Sequence, residues 1–234
     1  EMGSHTGNVY IVDGLYKNTT KLSCGATNAT AGAVYIDGGT LVNTIAGSST
    51  GNDMSVTRNL HLKGEGYRGF GAISNIVYTA NIGRNIYFDD DVKLCGTTTM
   101  NFRYDMVDMA GHTLTTDFPN GSGLMYVALD VRNPGSIDVR RGFCGFESQT
   151  GAAGTAAQTI TLGAYSTLNQ TGIWSGAAQI QLQGAASGTS TLNLRGANDF
   201  TGAFSSLACG VHVYHNTGLG TTDGATTWEV GAAN

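Results

Sequence analysis

Proline and charge are what this chain has least of. Of its 234 residues only 2 are proline, and charged residues make up 12%. So few Lys and Glu, beside 35 Gly, exclude a helical protein: Gly costs a helix about 1 kcal/mol per position, and a solvated helix face needs charged residues. The glycines follow no three-residue period, which excludes a collagen-like triple helix. Basic residues are scarce and scattered, with Arg140-Arg141 the one adjacent pair among 12. With a net charge of −5, a surface for nucleic acid or for an anionic membrane is not expected. No apolar run approaches the roughly 18 residues of a membrane-spanning helix, so this segment is not expected to insert directly. Residues 1–5 read as an expression remnant rather than a leader, which places the natural start upstream.

Cysteine is also sparse. Cys24, Cys95, Cys144 and Cys209 lie far apart and form no C-x-x-C pair, so zinc and redox-motif readings fail on spacing. Two disulfides and four small thiols stacked in a core both remain open. Phosphate-binding Gly loops, the G-x-S-x-G elbow and H-E-x-x-H are absent.

What the chain has is strands and corners. In residues 190–204, S-T-L-N-L-R-G-A-N-D-F-T-G-A-F, Leu192 and Leu194 point to one face of a strand and Asn193 and Arg195 to the other. Gly196 and Asn198 read as residues that tolerate a positive φ and let the chain turn. Phe200 returns an apolar side chain before Gly202 turns the chain again. The pattern apolar-x-apolar-x-Gly recurs at Tyr10/Val12/Gly14, Val34/Ile36/Gly38, Leu60/Leu62/Gly64, Ile180/Leu182/Gly184 and Leu192/Leu194/Gly196. Its first three starts, Tyr10, Val34 and Leu60, are spaced by the length of one coil of a β-solenoid. Each coil buries its inward alternate residues, and stacking coils makes one continuous core. The expectation is an all-β, single-domain parallel β-helix over residues 1–234, of roughly ten coils at ~20–25 residues each. With no polar cap helix at either terminus, it reads as a segment of a longer rod, flanked by neighbouring coils of a parent chain.

In chain order, residues 9–23 read as two strands around Asp13-Gly14. Residues 33–42 read as a strand, a Gly-Gly corner and a strand, and 46–54 as a loop. Residues 85–94 read as two strands around an acidic corner, and 101–109 as an extended run. In 124–139 the apolar pattern breaks at Asn133-Pro134-Gly135. Residues 150–157 read as a Gly/Ala/Thr loop, with regular coils from Gln158 to Val230.

The stretch L-N-L-R-G-A-N-D-F-T-G resembles the autotransporter-associated β-strand repeat, L-x-L-x-G-x-N-x-[FY]-x-G. Residues 59–75, N-L-H-L-K-G-E-G-Y-R-G-F-G-A-I-S-N, are similar to that family's L-x-L-x-G-x-G-x-x-x-x-G-A-[LI]-x-N segment. A-G-H-T-L-T at 110–115 resembles its x-G-H-x-L-T strand, and L-G-T-T-D-G-A-T-T-W-E-V-G-A at 219–232 a weaker rung. The matches spread over about two thirds of the chain, and residues 1–54 match only loosely. The resemblance implies a right-handed parallel β-helix in large secreted or surface-displayed bacterial proteins. It implies no catalytic, cofactor-binding or metal-binding residues, because its motif contains none.

Each chemical candidate has a plainer reading. Asp89-Asp90-Asp91, with Lys93 and Arg84 near in sequence, has the carboxylates of a calcium-dependent lyase. Adjacent strand residues alternate faces, however, so a solvated corner is the preferred reading. His112 lacks the partners of a hydrolase site and reads as an ordinary strand residue. His212 and His215 fall on opposite faces of a strand, against metal ligation. Tyr10, Tyr16, Tyr35, Tyr67, Phe70 and Tyr78 enrich the first third in rings; core stacking is preferred over a sugar platform. Asn18, Asn28 and Asn169 open N-x-T triplets, a chance consequence of Asn- and Thr-rich composition. The function expected is a non-catalytic structural or adhesive segment without a cofactor, whose partners are glycans or host and matrix molecules. A polysaccharide lyase or hydrolase, or a glycan-binding module, is the alternative on the same fold.

Overall fold

In a computed structural model, the described residues are 6–18, 32–44, 53–54, 58–77, 80–82, 85–102, 106–119, 124–127, 131–146, 149–152, 158–177, 179–185 and 189–229. They form a parallel β-solenoid with three faces.

The strands follow one another turn by turn. The first turn contributes β1 (Val9–Ile11) and β2 (Leu15–Asn18); the second β3 (Val34–Asp37), β4 (Thr40–Asn43) and β5 (Asp53–Met54). The third holds β6 (Leu60–Gly64), β7 (Ile73–Asn75) and β8 (Ala80–Ile82); the fourth β9 (Ile86–Gly96) and β10 (Met100–Phe102). Then come β11 (Val107–Asp108), β12 (Leu114–Asp117) and β13 (Leu124–Val127), followed by β14 (Val131–Arg132), β15 (Ile137–Arg141) and β16 (Phe143–Phe146). The seventh turn is β17 (Gln149–Ala152), β18 (Gln158–Leu162) and β19 (Thr167–Gln170); the eighth is β20 (Trp174–Gly176), β21 (Ile180–Gly184) and β22 (Thr191–Leu194). β23 (Phe204–Leu207), β24 (Gly210–Val213) and β25 (Thr226–Glu229) end the series.

Every strand pairs in parallel with its counterpart one turn away. Face one is β1-β3-β6-β9-β11-β14-β17-β20. Face two is β2-β4-β7-β9-β12-β15-β18-β21-β23-β25, and face three β5-β8-β10-β13-β16-β19-β22-β24. From Leu15 to Thr226 the second face climbs in steps that average within the length expected for one coil. Seven turns have all three faces among the described residues, with partial turns at both ends, fewer than the roughly ten expected. The turns are uneven in length. The step from Leu41 to Ile73 is lengthened by the loop at 65–71, which holds a single 3-10 turn, Tyr67–Gly69.

Alternation decides the core. Val34, Leu60, Ile86, Val107 and Val131 occupy one inward column of face one, each 0–1% exposed. Val92, Leu114, Ile137, Ile160 and Leu182 form one on face two. Leu192 and Leu194 are fully buried, as alternation requires, and Phe200 packs with them in the core. Fully burying one such side chain contributes about 1.5–3 kcal/mol.

Several expectations change. Residues 85–94 are not two strands but the start of the eleven-residue β9, which serves faces one and two and bends at Asp89–Asp91. Residues 150–152, read as loop, are strand, because Gln149 and Ala152 continue the face-one ladder to Trp174 and Gly176. Asp53 and Met54, read as loop, pair with β8. His112 is not in a strand: β12 starts at Leu114, after a turn in which Ala110 and Gly111 have φ of 47° and 83°.

The corner after β22 also works differently. Gly196 and Asn198 do not have positive φ among the described residues. Gly196 is required by close approach, since a Cβ there would collide with the Gly172 carbonyl oxygen. Asn198 is a buried brace. Its Oδ1 accepts from Gln170 Nε2 (2.8 Å) and the Trp174 N–H (2.9 Å), and its Nδ2 donates to the Gly218 carbonyl (2.6 Å). One amide thereby ties three successive turns, and satisfied buried amides of this kind fix register. Asn43 and Asn75 make a similar buried pair at 2.9 Å in the second and third turns.

The described cysteines are free thiols set apart rather than stacked: Cys95 is on face two, Cys144 on face three and Cys209 in the corner between β23 and β24. Cys144 lies in the core between Met125 and Leu168, and burial pushes its thiol far up. Cys95 and Cys209 are half-buried, and Cys24 lies outside the described residues. Tyr78, Arg84 and Asn28 lie outside them too.

Candidate functional site

Polar chemistry concentrates on the outward faces of the first to sixth turns, on both sides of the bend in β9. Three groupings occur there.

The first is a ring stack. Tyr10, Tyr35, His61 and Tyr87 occupy one register column of face one. Their ring centroids are 4.9, 4.6 and 5.0 Å apart, with interplanar angles of 12–23°. These rings point outward, so the core-stacking reading fails for Tyr10 and Tyr35. A sugar platform does not follow, because each inner ring has its faces covered by neighbours and presents an edge to water. Tyr67 carries the Arg68 guanidinium 5.0 Å from its ring centroid, while Phe70, on the same loop, is exposed.

The second grouping is the acidic corner. Three successive Asp side chains fan outward at the bend and find different partners. Asp89 meets His61 Nδ1 at 2.9 Å, and Asp90 Oδ1 accepts the Asp91 N–H at 2.8 Å. Asp91 Oδ1 accepts the Thr113 N–H at 2.7 Å and lies 3.9 Å from His112 Nδ1. Ligand atoms of Asp90, Asp91 and His112 lie within 4.8 Å of one another. That trio could give a cation three donors, against the six to eight oxygens calcium takes. The corner is exposed and each carboxylate already has a hydrogen-bond or ion-pair partner, as in a solvated corner.

Of the third grouping only Lys93 is among the candidates read from the sequence, where it stands beside Asp89-Asp90-Asp91. Lys93, Asp117 and Arg141 stand on β9, β12 and β15, with Asp117 paired in register to both Cys95 and Arg141. Arg141 grips the Asp117 carboxylate with two bonds of 2.5 and 2.9 Å, and Lys93 Nζ lies 3.9 Å from the same Oδ2 that accepts the longer one. Lys93 and Asp117 side chains are only 11% and 14% exposed, and the 65–71 loop lies against Lys93. That loop is pinned from below: Lys93 Nζ donates to the Gly69 carbonyl (2.8 Å), and the Cys95 thiol donates to the Phe70 carbonyl. Thr40 Oγ1 accepts the Tyr67 N–H (2.8 Å). The Arg141 guanidinium holds the Asp117 carboxyl below the ordinary aspartate range, against the opposing effect of burial. Burial pushes the Cys95 thiol up, so it is not a nucleophilic thiolate near neutral pH. A carboxylate held ionised between two cations suits an ion-pair brace; a general acid or base needs a pKa near the working pH.

The sequence does carry a signal for this set. Lys93, Asp117 and Arg141 follow one another at equal sequence intervals close to one turn, and the stacked rings Tyr10, Tyr35, His61 and Tyr87 recur at nearly the same interval. Reading the period across charges and rings, not only across Leu and Gly, finds both.

The remaining candidates stay apart. His212 is exposed and meets Tyr214 edge-on at 6.3 Å, while His215 Nδ1 accepts the Thr217 N–H. Asn169 Oδ1 accepts from Asn193 Nδ2 at 2.6 Å, one rung of an amide ladder. No family model matches this chain, and comparison with curated proteins and with solved structures found no match.

Proposed function

We propose that this chain is a non-catalytic structural or adhesive β-solenoid segment of a secreted or surface-anchored bacterial protein, of the autotransporter-passenger kind. The observation that carries this reading is how outward polar groups are used. Rings stack on rings, Asp37 meets Lys63 at 3.4 Å, Asp89 meets His61, Asp117 meets Arg141, and Asn169 meets Asn193. Each of these outward groups is spent on the turn above or below, which stiffens a rod. The repeat-like stretch at 192–202 supports the same kind of parent protein, and neighbouring coils and host or matrix glycans are its expected partners.

The test is a binding screen of the purified chain on glycan and host-matrix arrays, with calcium and with chelator. Binding that survives chelation supports an adhesive role and a blank array supports a spacer role. Binding that requires calcium counts against this reading and turns attention to Asp90, Asp91 and His112.

One observation favours a polysaccharide-active enzyme instead: Lys93 and Asp117, both little exposed, converge with the half-exposed Arg141 beside the loop that Lys93 holds. On that reading Lys93→Ala abolishes cleavage of a polysaccharide without unfolding the chain. On the structural reading there is no cleavage to abolish.

A further inference from the structure

Not every outward side chain on this rod is used by a neighbouring turn. Tyr165 is the clearest exception. It stands inside the stack, on the seventh turn at the corner between faces two and three, and is 77% exposed. Its phenol makes no hydrogen bond and no ring contact among the described residues. Its backbone has a φ of 60°, in the left-handed region that glycine enters at no steric cost and a bulky side chain rarely adopts. One turn below, Gly142 serves the same corner with a φ of 86°. An aromatic residue at this place serves neither the turn nor the core, and strain of this kind persists where a site needs the side chain.

The corner beneath it supplies charge. The Gly163 N–H donates to the Val139 carbonyl (2.8 Å) and the Thr167 N–H to the Gly142 carbonyl (3.0 Å), so the 163–166 corner rests on Arg140, Arg141 and Gly142. A Cβ at Gly163 would collide with the Arg140 carbonyl oxygen. Arg140 and Arg141 are the one adjacent basic pair in the chain, 45% and 54% exposed. Asp138 accepts from Arg140 Nε, and Asp117 accepts from Arg141 Nε and Nη2. Both terminal nitrogens of Arg140 and Nη1 of Arg141 keep their donors for another acceptor. Asp117, Asp138 and Glu65 balance Arg140, Arg141 and Lys93, so a continuous phosphate backbone gains little here. On the same face, Thr161 stands in register between Asp138 and Gln183, and the side chains of Thr161 and Gln183 have no partner among the described residues. A phenol, two guanidinium groups, a hydroxyl and an amide thus fall on one side of three successive turns.

We infer that this corner binds a glycan carrying a negative charge. The Tyr165 ring takes the apolar face of one sugar, and Arg140 and Arg141 take the anionic group. Thr161 and Gln183 bond the hydroxyls around it. An aromatic ring with a few placed polar groups is the usual composition of a small-ligand site. The guanidinium fork matches a planar carboxylate and strengthens each bond through charge. The inference rests on the adhesive reading, whose expected partners are glycans, and names the surface and the class of sugar.

The test is calorimetric titration of the whole purified chain with three probes of matched length: an oligogalacturonate, its methyl ester and a sulfated galactose oligomer. The expected result is that a charged probe binds about ten-fold or more tightly than the neutral ester. Preference for the uronate names a carboxylate as the anion and preference for the sulfated probe names a sulfate; either supports the site. Arg140→Gln and Tyr165→Asn should each weaken binding about ten-fold or more. Tyr165→Asn should also keep or raise the melting temperature, because Asn tolerates a positive φ, which separates a ligand role from a structural one. Phe70→Ser, on the exposed ring of the 65–71 loop, should leave binding unchanged. No binding of any probe, equal binding of uronate and ester, or undiminished binding by Tyr165→Asn would each overturn the inference. A blank result leaves the rod reading standing, since a spacer needs no ligand. Binding followed by cleavage supports the site and removes the non-catalytic reading.

Discussion

The turns built from residues 9–146 and those built from 158–229 bury similar columns of Val, Ile and Leu but face water differently. All charged residues but Arg195, Asp199, Asp223 and Glu229 precede residue 150. The earlier turns carry the ring stack, the acidic corner, the ion-pair brace and the pinned loop. The later turns present Thr159 and Thr161, then Gln181 and Gln183, then Ser205, with Asn169 against Asn193 on the next face. Parallel stacking asks only that inward residues be apolar, so outward residues are free to vary. One half of this rod uses that freedom for charges and rings, and the other for neutral hydrogen-bonding groups tied inside by Gln170 and Asn198.

The largest effect should come from the neutral half's core. Leu194→Asp puts an unpaired charge where exposure is 0% and should disorder the neighbouring turns, read as a lost or split melting transition by circular dichroism. A wild-type melt would mean that Leu194 faces solvent. Next, Asn198→Ala leaves the Trp174 N–H and the Gly218 carbonyl without their side-chain partner. It should cost about 2–3 kcal/mol in urea denaturation. A cost below about 0.5 kcal/mol would show that the amide does not tie the late turns.

The charged half should respond to pH instead. The folded pKa of Asp117 is lowered, so its contribution is fully present above the ordinary aspartate value of about 3.9 and is lost as pH falls through the depressed folded value. Asp117→Asn should therefore lower stability at pH 7 and flatten the stability loss below about pH 4. Hydrogen exchange should place the change in residues 65–71 and 93–95 and not beyond 158. An equal change in the late turns would erase the distinction between the halves. Smaller again, Tyr35→Ala interrupts the stack between Tyr10 and His61 and should cost about 1 kcal/mol. Asp90→Ala should stay within about 0.5 kcal/mol, with calcium or without it.

How far the sequence can be read follows from the same comparison. The inward alternation at Leu60/Leu62 and Leu192/Leu194 is local, so strands and a solenoid are legible from it. The outward ladders join residues a full turn apart, and Lys93, Asp117 and Arg141 are recognisable only once the turn length is known at each step. That length is not constant: the face-two step from Leu41 to Ile73 is nearly twice as long as the face-one step from Val131 to Gln149. The direction of Tyr10 and Tyr35 is not legible, because aromatic rings suit a core and an exposed stack equally well. Asn198 reads as a turn former because Asn favours turns, while its use as a buried brace depends on Gln170, a full turn earlier.

The central claim, a rod whose outward groups pair with one another rather than act on a substrate, is tested most directly by incubating the folded chain with neutral and acidic polysaccharides. Calcium and chelator arms run side by side, and new reducing ends and unsaturated products are measured. The account predicts no turnover on any of them, from the wild type or from Asp117→Asn. Cleavage by the wild type that disappears in Lys93→Ala or Asp117→Asn, with both variants folded, would contradict it.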